Sequence, residues 1–278
     1  VVEMDLKFVV NDYVLIWNLL FQASISSDIQ KLKQKLWVNY HDEYNATYKD
    51  IGNILKDTKN FIPKDDTIYN IFLENKEYEN IKKATEKYRM KLLEVWDKYK
   101  KATLEELKDI LRFEIDSYTI FVVSDMLDIK MANSKYKVIT IGKKIDTTNP
   151  LKTLIDIIYE VVKEEVKISD IDCKTMVKAV VELATYNELQ TRMTSKSYYM
   201  TGDPNLSNLK RAIYPYWLMY LGIPKDKLLS YMMRDKVAFE IDKVPYENAL
   251  KKVNLIEFIK FCIKNEKYIV KENDLEVL

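Results

Sequence analysis

The chain has 278 residues and is close to electrically balanced, with 44 lysines and arginines against 43 aspartates and glutamates, and it contains one histidine, His41. A net charge of +1 with interspersed signs argues against a nucleic-acid binder, which shows a basic block or stripe. A single imidazole closes off most histidine-based metal and acid–base chemistry.

The apolar fraction of 47% and charged fraction of 31% are those of a folded soluble protein with enough mass for a real core. Four glycines and six prolines favour helix over sheet-rich folds. No apolar run approaches the ~20 residues that span a bilayer. Phe8–Phe21 is the most apolar stretch, and Asn11, Asp12 and Asn18 interrupt it. The chain begins at Val1 and not at methionine, which leaves room for a segment removed or truncated upstream. Localisation stays open for that reason, with the cytoplasm slightly favoured.

Residues 5–116 read as almost entirely helical. Leu15 and Leu19 recur at helical spacing in a first segment. Ser27 or Asp28 is placed to cap a long second helix with Ile29, Leu32, Leu36, Tyr40 and Tyr44 on one stripe. Trp37, Tyr40, Tyr44 and Tyr48 read either as a ligand-stacking ladder or, preferably, as large core side chains with one polar tip. His41, beside Asp42 and Glu43, reads as a surface residue. Asn60–Asp66, with Pro63, breaks the pattern. A short helix over Thr67–Leu73 and a long one over Glu77–Lys100 follow, and Thr103 with Glu106 forms a capping box for another through Phe113.

Composition changes near Ser117. Tyr118–Val123 and Lys135–Lys144 read as strands, and Asp125–Asn133 between them as irregular or a further short strand. Asn149–Pro150 starts a helix from Leu151 to about Val166. Ser169–Asp172 breaks it, and a second helix runs from about Lys174 to Met193. A third starts at Asp203–Pro204 and ends at Gly222. A fourth runs from Pro224 to about Arg234, Pro245 and Asn254 open two more, and Lys267–Val270 reads as a short strand or extended tail. The organisation expected is a helical region over 1–116 and an α+β region over 117–278, packed separately or as one domain. The fold class is α+β, predominantly α-helical.

The strand–helix–helix order from Tyr136 to Met193 resembles the catalytic core of gluzincin-type zinc metallopeptidases, over about a fifth of the chain. In that family an edge strand precedes a helix carrying HExxH, whose histidines hold zinc while the glutamate activates water, and a later helix supplies a third, glutamate ligand. Here Tyr159-Glu160-x-x-Lys163 falls where HExxH is expected, after a strand over about Tyr136–Ile141 as the edge. Glu160 takes the water-activating position and Glu182 the third-ligand position. Tyr159 and Lys163 stand where both histidines would be. An ammonium at Lys163 repels a divalent metal, and a phenol is a poor substitute for imidazole.

The resemblance thus implies a zincin-like protein with no metal and no cofactor. Glu160 would be a vestigial catalytic residue, and Tyr159, Lys163 and Glu182 would line a peptide- or protein-binding cleft. A salt bridge from Lys163 to Glu160 or Glu182 would replace the metal as charge balance. Read without the resemblance, the same helix packs Tyr159, Val162 and Val166 inward and turns Glu160, Lys163, Glu164 and Lys167 to water.

Two other function classes stay open: an α-helical interaction or structural module with no catalytic ancestry, and a hydrolase using a carboxylate pair, which leaves no local signature. A di-iron bundle needs two Glu-x-x-His motifs and is excluded. No P-loop or dinucleotide-binding turn is present. Arg211 with Tyr214 and Tyr216 reads either as an anion site or, preferably, as packing around a Pro-kinked helix. Cys173 and Cys262 make no disulfide framework and read as small buried side chains.

Overall fold

The computed structural model describes residues 3–22, 26–167, 174–199, 201–224, 227, 250–267 and 269–270. The expected break at Ser169–Asp172, Cys173, the helix start at Pro245 and nearly all of the helix from Pro224 to Arg234 lie outside them. The protein is mostly helical with a small mixed sheet, an α+β fold dominated by helix. It forms two compact units. The first takes residues 1–98 and 116–160, the second 99–115 and 161–278. The compositional change near Ser117 coincides with the chain's return to the first unit.

The first unit is built on a four-stranded sheet of order β1-β2-β4-β3, with β1 Leu6–Val9, β2 Tyr118–Val122, β3 Ile129–Asn133 and β4 Val138–Gly142. β1, β2 and β4 are parallel, and β3 runs antiparallel to β4, pairing Ile129 with Gly142 and Asn133 with Val138. Two sequence expectations change here. Leu6–Val9 is a strand inside the stretch read as helical, because its alternating residues Leu6 and Phe8 are buried on one face. The strand near Tyr136–Ile141 is not an edge. Asp125–Asn133 supplies β3, which covers the open side of β4, so β1 and β3 are the edges.

Helices α1 Asp12–Phe21, α2 Ser27–Asn39, α3 His41–Tyr48, α4 Ile51–Lys56 and α5 Thr67–Leu73 follow β1. The side chain of Asn11 caps α1 by accepting from Val14 N–H, and Ser26, one residue before the expected cap, does the same for α2 at Ile29. α1 buries every residue from Val14 to Leu20, including Asn18. The expected long second helix is broken at Tyr40, which leaves the helical backbone region. Of the aromatic ladder, Tyr40 and Tyr44 pack against the core, while Trp37 and Tyr48 are largely exposed and touch neighbouring rings. His41 is exposed and meets Trp37 edge-on.

Helix α6 is continuous over Lys76–Leu111. The capping box at Thr103 does not form, because the Thr103 hydroxyl is fully buried and donates to the Met193 sulfur. Helix α7, Leu151–Lys167, follows the sheet. In the second unit come α8 Lys174–Glu182, a π-helical segment Leu183–Leu189, α9 Gln190–Thr194, α10 Ser207–Tyr220 and α11 Leu255–Lys264. Trp217, Tyr220 and Phe258 stack at its core. Tyr214 and Tyr216 beside Pro215 are buried in ring contacts with Tyr199 and Phe261, and Arg211 is exposed, which is the packing arrangement. Asn254 and Glu257 make a reciprocal capping box for α11. Lys267, Ile269 and Val270 are helical and not a strand. Cys262 is fully buried, and burial pushes its thiol up.

At Gly142 the end of β4 presses on the segment after β2. A Cβ there would lie 2.5 Å from the Ser124 carbonyl oxygen and 2.8 Å from the Val123 side chain. Gly142→Ala should therefore cost about 2 kcal/mol or more, the scale of overpacking against backbone. Urea denaturation reads this directly, and an unchanged midpoint with an unchanged slope would show that no such close approach exists.

Candidate functional site

Helix α7 is buried on nearly all faces. Among its buried residues are Asp156, Glu160 and Glu164, spaced four apart and so aligned on one side of the helix. Glu160 is 4% exposed and Glu164 3%, so the solvated-face expectation fails for both carboxylates. Tyr159, Val162 and Val166 are buried, as that same reading expected. A buried carboxylate costs several kcal/mol of lost hydration unless it is paired.

In the first unit the partners come from the sheet. Lys130, on edge strand β3, puts its Nζ 3.7 Å from Glu160 and 3.7 Å from Asp156. The same ammonium lies 4.8 Å from the centre of the Tyr159 ring. Lys143, just past β4, lies 3.7 Å from the other Asp156 oxygen. The Lys143 backbone N–H donates to the Tyr88 hydroxyl of α6 at 3.0 Å. Burial pushes that phenol well above its ordinary value. At an effective dielectric of about 20, each such pair is worth about 4 kcal/mol of attraction, comparable to the hydration lost. The cluster is therefore near balance: it neutralises the buried acids without a large net gain.

The boundary between units falls between Glu160 and Val161. Tyr159 and Glu160 meet at Lys130 in the first unit. Lys163 and Glu182 belong to the second, where Lys163 is half-buried and Glu182 is 3% exposed at the end of α8. Lys210 of α10, 1% exposed, places its Nζ 3.3 Å from Glu182 Oε1 and donates to the Thr201 carbonyl at 2.8 Å. The Asp203 N–H donates to Glu182 at 3.0 Å. Gly202 has φ of 124°, and a Cβ there would fall on the Glu182 carboxylate. Asn187, in the π-helical segment, donates to the Tyr198 and Thr201 carbonyls. Glu182 and Asn187 thus hold the backbone at Tyr198, Thr201 and Asp203. Lys130 pairs with Glu160 and Lys210 with Glu182, and the sequence singled out neither lysine.

The zinc implied by the resemblance does not fit these residues. No imidazole stands at either ligand position, and an ammonium already sits beside Glu160. Among the described residues no group of three or more His, Cys, Asp and Glu side chains is arranged to hold a metal ion. No helix among them is long and apolar enough to cross a membrane. No protein-family model matches the sequence, and neither a curated protein nor a solved structure shows significant similarity to it.

Burial pushes the Glu182 carboxyl up from its ordinary value of 4.5, while Lys210 and the Asp203 N–H pull it back. Burial also pushes the Lys210 amine down, against Glu182. Lys210→Met leaves the carboxylate buried and unpaired, at a cost of about 3–5 kcal/mol near neutral pH. The sign follows from the raised pKa: the folded state binds this proton more tightly than the unfolded chain. Its stabilising contribution is complete below pH 4.5 and is lost as pH rises through the folded value. The variant should therefore recover stability as the pH is lowered from 8 toward 5, relative to the parent chain. Glu182→Gln combined with Lys210→Met should remove that dependence and cost much less. Denaturation curves across this pH range test it, and an equal deficit for Lys210→Met at both ends would count against the pairing.

Proposed function

We propose that the protein is zincin-like, lacks an intact zinc site, and binds a peptide or protein segment without cleaving it. The observation that carries this reading is Lys130 beside Glu160. The glutamate at the water-activating position of the resemblance is buried on α7 and faces an ammonium from the antiparallel edge strand β3. An ammonium balances charge, but it has no open coordination position from which to polarise water. An edge strand, β3, does precede the helix carrying Glu160, with β4 between them in the chain. A strand edge offers backbone donors and acceptors to an extended segment, with neighbouring side-chain positions setting selectivity. Met131 is exposed on that strand. Lys163 at the second histidine position supports the loss of metal affinity by the same charge argument.

The test combines two measurements on the purified chain. Elemental analysis should give substoichiometric zinc. Addition of a binding peptide selected from a random library should slow amide hydrogen exchange within Ile129–Asn133, with the peptide recovered intact. Stoichiometric tightly held zinc, or peptide hydrolysis abolished by Glu160→Gln, would overturn the proposal.

A further inference from the structure

Away from the α7 cluster, the end of α3, helix α4 and the loop leading to α5 enclose a basin of about 490 Å³. That lies within the range of small-molecule sites. Lys49, Lys56 and Lys64 line it together with Asp50, Asp57 and Asp65. The carboxylates already serve this chain. Asp50 accepts from the Tyr69 hydroxyl at 2.8 Å, Asp57 from the Asn60 backbone and side chain, and Asp65 from the Thr67 N–H at 2.9 Å. The lysine side chains are less committed: among the described residues none of the three ammoniums makes a hydrogen bond or an ion pair, and Lys64 acts on Asp50 only at longer range. Beside them stands an apolar wall. Phe61 is held edge-on by Tyr13 at 5.0 Å, and Ile62 is 85% exposed.

We propose that this basin binds a small organic phosphate monoester. Lys49, Lys56 and Lys64 would hold its phosphate, and Phe61 and Ile62 would meet its organic group. Three ammoniums match the oxygens of a phosphate dianion better than the two of a carboxylate. The three aspartates leave the basin without net charge, so only a ligand small enough to meet the ammoniums directly gains from it and a long polyanion does not. The balanced charge of the whole chain agrees. This inference is independent of the zincin-like reading.

Phenyl phosphate titrated into the full chain, followed by calorimetry, tests it, with inorganic phosphate and benzoate as parallel titrants. Saturable binding is expected for phenyl phosphate, weaker binding for inorganic phosphate, and none for benzoate. Each of Lys49→Gln, Lys56→Gln and Lys64→Gln should weaken phenyl phosphate about tenfold, the scale of a charged hydrogen bond. Ile62→Ser should weaken phenyl phosphate and leave inorganic phosphate unchanged. All four side chains are exposed, so unfolding does not confound the result. Absence of saturation, binding that survives replacement of all three lysines, or benzoate binding as tightly as phenyl phosphate would overturn the proposal.

Discussion

The constraint on which the rest depends is the burial of carboxylates on two central helices. Asp156, Glu160 and Glu164 on α7, and Glu182 at the end of α8, are all nearly excluded from water. Stripping a carboxylate of water costs several kcal/mol, a large share of the total stability of an ordinary domain. Each must therefore meet a cation or a set of donors, and the chain must be arranged to deliver them. In the first unit the cations come from the sheet, on β3 and just past β4. In the second, Lys210 reaches Glu182 from α10, and Lys167 reaches Glu164 from the last turn of the same helix.

The two solutions differ in kind. Lys130 is about a quarter exposed and serves two acids at 3.7 Å, so water screens part of its interaction and its position can adjust. Lys210 is dry and shared between Glu182 and a backbone carbonyl, and the Glu182 carboxylate is packed against Gly202, whose backbone only glycine adopts easily. The second arrangement fixes a loop. The π-helical segment adds to it, since Asn187 lies within that segment and grips the same loop from an adjacent turn. Such segments interrupt the regular helical ladder and recur where a helix must present a side chain out of its usual register.

How much of this could be read in advance depended on whether the signal was local. The helix over Thr67–Leu73, the Asn254 start, the Gly222 stop and the dominance of helix all follow from caps, glycines and spacing within a few residues. The β1 strand did not, because four residues next to a helix-like apolar run carry too short an alternation to separate the two periods. The capping box at Thr103 misled because packing against Met193 outweighed a local signal. For the site, the spacing of Asp156, Glu160 and Glu164 was visible, but not that this face is buried. Lys130 and Lys210 lie 30 and 28 residues from the glutamates they meet. Nothing in the sequence around either lysine marks it, because the pairing is created by the sheet order and by the crossing of α8 and α10.

On the zincin-like reading we propose, lysine in place of imidazole would change more than affinity for a metal. Imidazole ligands leave zinc an open position, where water is held and made acidic. A lysine ammonium brings its charge with its own three hydrogens and offers no such position. On the zincin-like reading we propose, Lys130 beside Glu160 satisfies the acid that would otherwise take a proton from water. The same helix, edge strand and carboxylate would then serve recognition and architecture instead of hydrolysis. On that reading the part kept would be the one that needs no metal: the edge strand β3, whose free backbone groups can hold an extended chain.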